Sequence, residues 1–160
     1  RALTSFLLCF YQSLGLKAAY ALEHTPPESC LGERTTLCFA GRESYDILIH
    51  GRKIGGNAQR RSRQVIFQHG SIPLKNRAAD GLPYLKHPPP GIEQMTTSLR
   101  DEGILQEETI LKQLLAQQFT EKLGVVLAAD VMTDHEQKLS RQLAVGKYQN
   151  NAWNLEGKEA

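Results

Sequence analysis

The stretch TTLCFAGRESYDILIHGRKIGGNAQRRSRQVIFQHGSIPL, Thr35 to Leu74, decides how this chain is read. TTLCF (35–39), YDILI (45–49) and QVIFQHGSIPL (64–74) are rich in the residues that strands favour. HGRK (50–53) supplies a tight turn, with Gly51 able to take a positive φ. KIGGNAQRRSR (53–63) continues as a strand weakened by Gly55 and Gly56. Val65, Phe67, His69 and Ser71 alternate onto one face. The short links predict an antiparallel meander.

Helical patterns flank it. Leu3, Phe6, Leu7, Phe10, Tyr11 and Leu14 recur at three and four residues, an amphipathic helix stopped at Gly15. Leu16–Leu22 reads as a short strand and EHTPPESCLGERT (23–35) as a loop. KNRAADGLPYLKHPPPGIEQ (75–94) reads as a surface connection. Glu107–Leu123 is a second amphipathic helix, with Ile110, Leu111, Leu114, Leu115 and Phe119 on one face and Gly124 as its stop. VVLAADV (125–131) reads as a short strand. Thr133 with Glu136 three residues on has the form of a capping box, opening a third helix to about Val145. The remaining residues form a tail, with Tyr148 and Trp153 as its anchors. The sum is an α+β class: helices packed on a mostly antiparallel sheet.

At 160 residues one domain is expected, large enough for a core without disulfides or metals. A net charge of +2 is too small to imply nucleic acid or an acidic membrane. The three cysteines have no framework spacing, and the five histidines match no zinc motif, so no metal site is expected. No apolar run is long enough to span a bilayer. The apolar start is broken by Gln12 and Ser13 and followed by no cleavage signal. A reduced, cytoplasmic setting is the expectation.

Several residues could carry chemistry. Gly55 and Gly56 could let a ligand lie against the main chain beside Lys53, or they mark a bulge with a solvated lysine. Arg52, Lys53, Arg60, Arg61 and Arg63 form a basic cluster. It reads as a solvated edge, a docking face for an acidic protein, or a phosphate grip. No aromatics for base stacking interleave it, so nucleic acid is not the expected partner. His69 shares a face with Phe67 and is either an acid–base group or a hydrogen-bonded core histidine. Cys38 lies in an apolar β run, where most cysteines are small buried hydrophobes. Cys9 and Cys30 look incidental. A reactive cysteine needs a positive neighbour, for which Lys53 and His69 are the candidates.

SYDILIHGRKIGGNAQRRSRQVIFQHGSIPL (44–74) resembles, as a linked pattern, the central segment of the biotin/lipoate protein ligase family, in its lipoate-ligase and octanoyltransferase branch. The family hairpin Y-[DE]-hydrophobic-G-[RK]-K-[IV]-x-G-[SN]-A-Q is filled by Tyr45, Asp46, Gly51, Arg52, Lys53, Ile54, Gly56, Asn57, Ala58 and Gln59. The following strand ends in Gln68-His-Gly-Ser-Ile72. HEQKLSRQLAVGKYQNNAWN (135–154) also resembles the family's C-terminal end.

The resemblance implies a class II synthetase-like α+β catalytic domain that binds an octanoyl or lipoyl chain over its sheet. Residues 1–160 would be one partial domain: 1–75 a helix and the catalytic meander, 76–160 the connection and C-terminal helices. It implies transfer of the acyl group to one lysine of the lipoyl domains of 2-oxoacid dehydrogenases or of the glycine cleavage H protein, with acyl carrier protein as donor. Lys53 matches the lysine that meets the acyl carbonyl. Gly55, Gly56, Asn57, Ala58, His69, Gly70 and Ser71 match the substrate-binding positions. One octanoyltransferase branch carries a cysteine seven residues before the matching Tyr, and Cys38 has that spacing from Tyr45. The resemblance therefore implies a Cys38 thioester mechanism needing no cofactor. The ligase alternative would use ATP and Mg, and a third reading moves acyl groups between carrier proteins. A non-catalytic accessory piece is the alternative of another class. The family's RR-x-[TS]-GGG segment is not in these residues, so the expectation is a C-terminal portion with little catalysis by itself.

Overall fold

A computed structural model describes residues 2–24, 31–32, 35, 37–88 and 90–157. Cys30 and most of the proline-bounded loop expected around it lie outside these. The chain divides into two compact units, Arg1–Val126 and Leu127–Ala160, each described by itself.

The first unit opens with a 3-10 turn, Ala2–Thr4, that runs into helix α1, Ser5–Ser13. Leu7, Phe10 and Tyr11 recur at three and four residues and face inward, all buried. Gly15 takes φ +80° just past the helix, as a residue reversing the chain there must. Strand β1, Ala18–Tyr20, follows, then a single helical turn α2, Ala21–His24.

Strands β2, Ile47–Ile49, and β3, Arg52–Gly55, form the expected hairpin. Its two-residue turn has both central residues left-handed, His50 at φ 49° and Gly51 at φ 75°. That is the turn whose twist matches paired strands. The sheet order is β1-β2-β3, antiparallel throughout. Ile47 pairs with Gly55 while Leu48 pairs with Lys53, so Ile54 is an inserted bulge residue. A bulge re-aims side chains. Here it allows consecutive Lys53 and Ile54 both to be buried, Ile54 in the apolar core and Lys53 against polar partners.

The meander is not one sheet. Gly56 interrupts it, and β4, Asn57–Arg61, pairs only with β5, Ile66–Gly70, in a separate two-stranded sheet. β4 stops at Arg61, so Arg63 lies in the hairpin bend and not on a strand face with Arg61. The far side of β3 is taken instead by the segment after helix α3, Ile92–Met95, through a parallel bridge between Lys53 and Thr96. Thr96, Thr97 and Ser98 are buried there, their hydroxyls bonded to Ile92 O, Glu102 and Asp101. A 3-10 segment, Ala78–Tyr84, lies within the expected surface connection.

Helix α4, Glu108–Leu123, ends at Gly124 in the left-handed region, as its pattern predicts. It packs on α1, with Phe119 edge-on to Phe6 at 5.0 Å between ring centres. Leu111 is buried and Leu114 and Leu115 half-buried, but Ile110 points outward. The core joins α1, the β1-β2-β3 sheet, α4 and the Leu99–Ile104 loop.

Two expected strands are absent among the described residues. Residues 37–39 of TTLCF lie in a turn, and VVLAADV is exposed and forms no strand. β-propensity needs a neighbouring strand to act on, and neither segment pairs with one among the described residues.

The second unit contains α5, Asp134–Leu143, continued by a π turn, Ala144–Tyr148, and α6, Asn151–Glu156. The Thr133–Glu136 capping box is complete on both sides. Tyr148 and Trp153 pack edge-on at 6.2 Å, and Lys147 lies 3.9 Å over the Trp153 ring. No helix among the described residues is long and apolar enough to cross a membrane.

Candidate active site

Lys53 is buried, not solvated. Its ammonium donates to Asp46 Oδ2 at 2.6 Å and to the backbone carbonyls of Cys38 and Gly41, each at 2.9 Å. Three donors meet three acceptors, so the group is saturated. The Phe39 ring adds a face 5.6 Å away. A cation this enclosed is stable only because the carboxylate and two carbonyl dipoles replace water.

Cys38 departs from its β-run reading. It is exposed, on a turn closed by the Ala40 amide donating to Leu37 O at 2.9 Å. Lys53 holds this turn from beneath through the carbonyl of Cys38 itself. The two residues singled out for catalysis are therefore adjacent, although fifteen positions separate them in the chain.

A cavity of about 180 Å³ lies between α1, α4 and the start of the β4–β5 hairpin. Phe6, Leu7, Ile47, Ile72 and Leu115 supply apolar walls, and Asn57, Gln68, His69 and Ser71 its polar part. Gly55 and Gly70 line it as well. Five of the seven positions expected to bind substrate thus line one cavity. Gly56 does not: it lies beside the ion pair, where a Cβ would stand in ordinary contact, 3.6 Å from both Asp46 Oδ1 and Lys53 Cε. Ala58 is exposed and pairs with His69 through the backbone of the hairpin. His69 is exposed beside Phe67, their rings 5.6 Å apart, which removes the core-histidine reading. A second cavity, about 300 Å³, adjoins the Cys38 turn and is walled by Phe39, Pro73, Asn76 and Thr97. Ser71 lines both cavities.

Gly70 fixes the hairpin at the cavity. A Cβ there would fall 2.5 Å from Asn57 Oδ1 and 2.8 Å from the Gly56 carbonyl. The side chain can swing away, but the carbonyl cannot. Gly70→Ala should therefore open the Asn57–Gly70 end of the hairpin and cost about 1–3 kcal/mol in denaturant unfolding.

Sequence reasoning missed three residues. Gln68 lines the first cavity, and its Oε1 is buried without a hydrogen-bond partner among the described residues. Such an acceptor asks for a donor. Tyr11 forms part of the same wall, and burial pushes its phenol well above the ordinary 10.0. The unfolded chain then ionises first, so stability is full below pH about 10 and falls as pH rises beyond it. Tyr11→Phe should remove part of that alkaline loss in melts compared at pH 8 and about 11. The third is Asp46, whose only sequence sign is its place in the hairpin motif.

The other basic residues serve different ends. Arg52 and His50 both reach Glu102, at 2.7 and 3.3 Å. Arg60, Arg61 and Arg63 are exposed, and none meets a carboxylate among the described residues; Arg61 contacts Gln59. No group of three or more potential metal-binding side chains stands together among the described residues.

This arrangement sets a turn-borne cysteine over a buried lysine, near a part-apolar cavity. The model of the lipoyl protein ligase A/B catalytic domain matches residues 1–123, and the chain belongs to that family. The match lies within the first compact unit. Among curated relatives, octanoyltransferase LipM of Bacillus cereus is 30% identical over 165 residues, covering 96% of this chain and 59% of the relative. The Bacillus subtilis protein of the same name is 27% identical, with the same coverage of 96% and 59%. The chain therefore spans about three-fifths of the length of these relatives. A structure of lipoate-protein ligase A bound with ATP superposes with a TM-score of 0.73 at 21% identity, covering 96% of this chain and 57% of that one. A candidate lipoate protein ligase of T. acidophilum with bound lipoic acid gives 0.72 at 19%, covering 97% and 57%. At these identities the likeness concerns the fold, and it bears out the α+β class.

Proposed function

We propose that this chain forms part of a cysteine-dependent octanoyltransferase that modifies lipoyl domains. The observation that carries the reading is the contact between Lys53 and the main chain of Cys38. It joins the family lysine to the cysteine that marks the transferase branch. The relatives named octanoyltransferase support the same choice.

In the first step the Cys38 thiolate attacks the thioester carbonyl of octanoyl-acyl carrier protein. A tetrahedral oxyanion forms, then collapses with cleavage of the donor's C–S bond and departure of the carrier thiolate. In the second step the acceptor lysine amine attacks the Cys38 thioester. The new amide bond forms as the C–S bond to Cys38 breaks, and the amine proton passes to the departing thiolate or to water. One thioester replaces another and an amide replaces that, so the sequence needs no ATP and no cofactor. Lys53 stabilises the oxyanion. Because its three donors are occupied, it does so by exchanging a backbone carbonyl for the substrate oxygen.

The cavity lined by Gly55, Asn57, His69, Gly70 and Ser71 takes part of the acyl chain. At about 180 Å³ it is smaller than the roughly 300–1,000 Å³ of complete ligand sites, which leaves the rest of the chain to other walls. Gly56 and Ala58 do not line it and act through their backbone. The exposed Arg60, Arg61 and Arg63 suit an acidic acyl carrier protein, where such charges chiefly raise the association rate. Acceptors are the lipoyl domains of 2-oxoacid dehydrogenases and the glycine cleavage H protein, in the cytoplasm.

The test is octanoyl transfer to an acceptor lipoyl domain, using protein expressed from the full reading frame that encodes this chain. Transfer from octanoyl-acyl carrier protein without ATP or Mg supports the reading. Transfer from free acid that requires ATP would replace it with the ligase.

A further inference from the structure

Asp46 is the buried charge to which the proposed transfer assigns no role. Its side chain is only 3% exposed, and Oδ2 receives both Lys53 Nζ, at 2.6 Å, and the Glu43 amide, at 2.8 Å. Its backbone is pinned on both sides: its amide donates to Glu43 O at 3.0 Å, and its carbonyl accepts from the Ala21 amide at 2.8 Å. The carboxylate is thus fixed by the Glu43–Asp46 turn and by the start of α2, outside the Cys38–Gly41 segment it serves. Lys53 passes that fixation on. Its other two N–H bonds go to the carbonyls of Cys38 and Gly41, the first and last residues of a four-residue segment.

We infer that Asp46 is a positioning residue, which anchors Lys53 and through it holds the Cys38–Gly41 turn in place. The significance for catalysis rests on the reading of Cys38 as nucleophile; the tether itself does not. Two carbonyl dipoles cannot by themselves balance a buried ammonium. Without the carboxylate charge, Lys53 moves toward water and the turn loses both of its bonds to the sheet. Asparagine keeps the size of the side chain and one acceptor oxygen while removing the charge, so Asp46→Asn isolates the electrostatic part.

Hydrogen exchange followed by mass spectrometry reads the tether directly, on protein expressed from the full reading frame. In Asp46→Asn, amides of residues 39–41 should exchange about tenfold faster, the effect of losing one charged hydrogen bond. The Glu43 amide, which bonds Asp46 directly, is read apart from them. Amides of α4 should keep their wild-type rates. If the single variant loosens α4 too, the double variant Asp46→Asn/Lys53→Met removes the stranded cation. The turn should still exchange fast there while α4 is restored. Wild-type exchange of the turn in either folded variant would overturn the inference. In the transfer assay, Asp46→Asn should lower kcat and leave KM for the acyl carrier protein unchanged. Failure of the Cys38 reading would show as no acyl adduct in the wild type and would leave the exchange result standing.

Discussion

Lys53→Met is expected to destabilise the Arg1–Val126 unit by about 3–5 kcal/mol, read as a lowered denaturant midpoint with unchanged slope. The size follows from what remains behind. Asp46 is almost wholly enclosed, and its partner at 2.6 Å is gone. The Cys38 and Gly41 carbonyls lose their donor at the same time. Methionine fills the space of the lysine stem without supplying a donor, so packing is nearly preserved and the loss is electrostatic. A midpoint within about 0.5 kcal/mol of wild type would mean that the pair behaves like an exposed ion pair. Such a result would contradict the burial on which the site's description depends.

Cys38→Ala should do the opposite to the two properties. Its side chain is exposed, and the bond it makes to Lys53 uses the backbone carbonyl, which alanine retains. Stability should stay within about 0.5 kcal/mol of wild type. Transfer from octanoyl-acyl carrier protein should fall by at least about 10³-fold, the scale on which loss of a nucleophile acts. Alanine leaves no group to form the thioester, and serine at the same place is a far weaker nucleophile near neutral pH. Near-wild-type transfer by Cys38→Ala would remove the thioester step.

The β2–β3 hairpin was legible because its turn chemistry and its apolar strands agree. Gly51 permits the left-handed turn, and Ile47, Ile49 and Ile54 all reach the core. Helices α1 and α4 and the Thr133 cap were legible for the same reason, local pattern and local chemistry coinciding. What the pattern hid was pairing. Gly55 and Gly56 signalled a weakened strand, but not that Gly56 ends one sheet and begins another. TTLCF and VVLAADV have strand composition, yet neither pairs with a strand among the described residues.

The sequence named candidate site residues, and their geometry was not legible in it. Lys53, Cys38 and most of the cavity positions stand out in the linked motif. That Lys53 is buried, and that it grips the turn rather than the sulfur, depends on the Ile54 bulge and on Asp46. No composition or periodicity predicts a bulge register. Asp46 stood in the sequence only as a motif position, whereas the protein encloses it as a counter-ion.

The central claim is that an acyl group passes through Cys38. Protein expressed from the full reading frame is mixed with octanoyl-acyl carrier protein in the absence of ATP and acceptor, quenched in acid and digested for mass spectrometry. The account predicts an octanoyl adduct on the peptide bearing Cys38, removed by hydroxylamine and transferred when an acceptor lipoyl domain is added. Transfer that proceeds with no adduct on Cys38, or only after ATP is supplied, would contradict it.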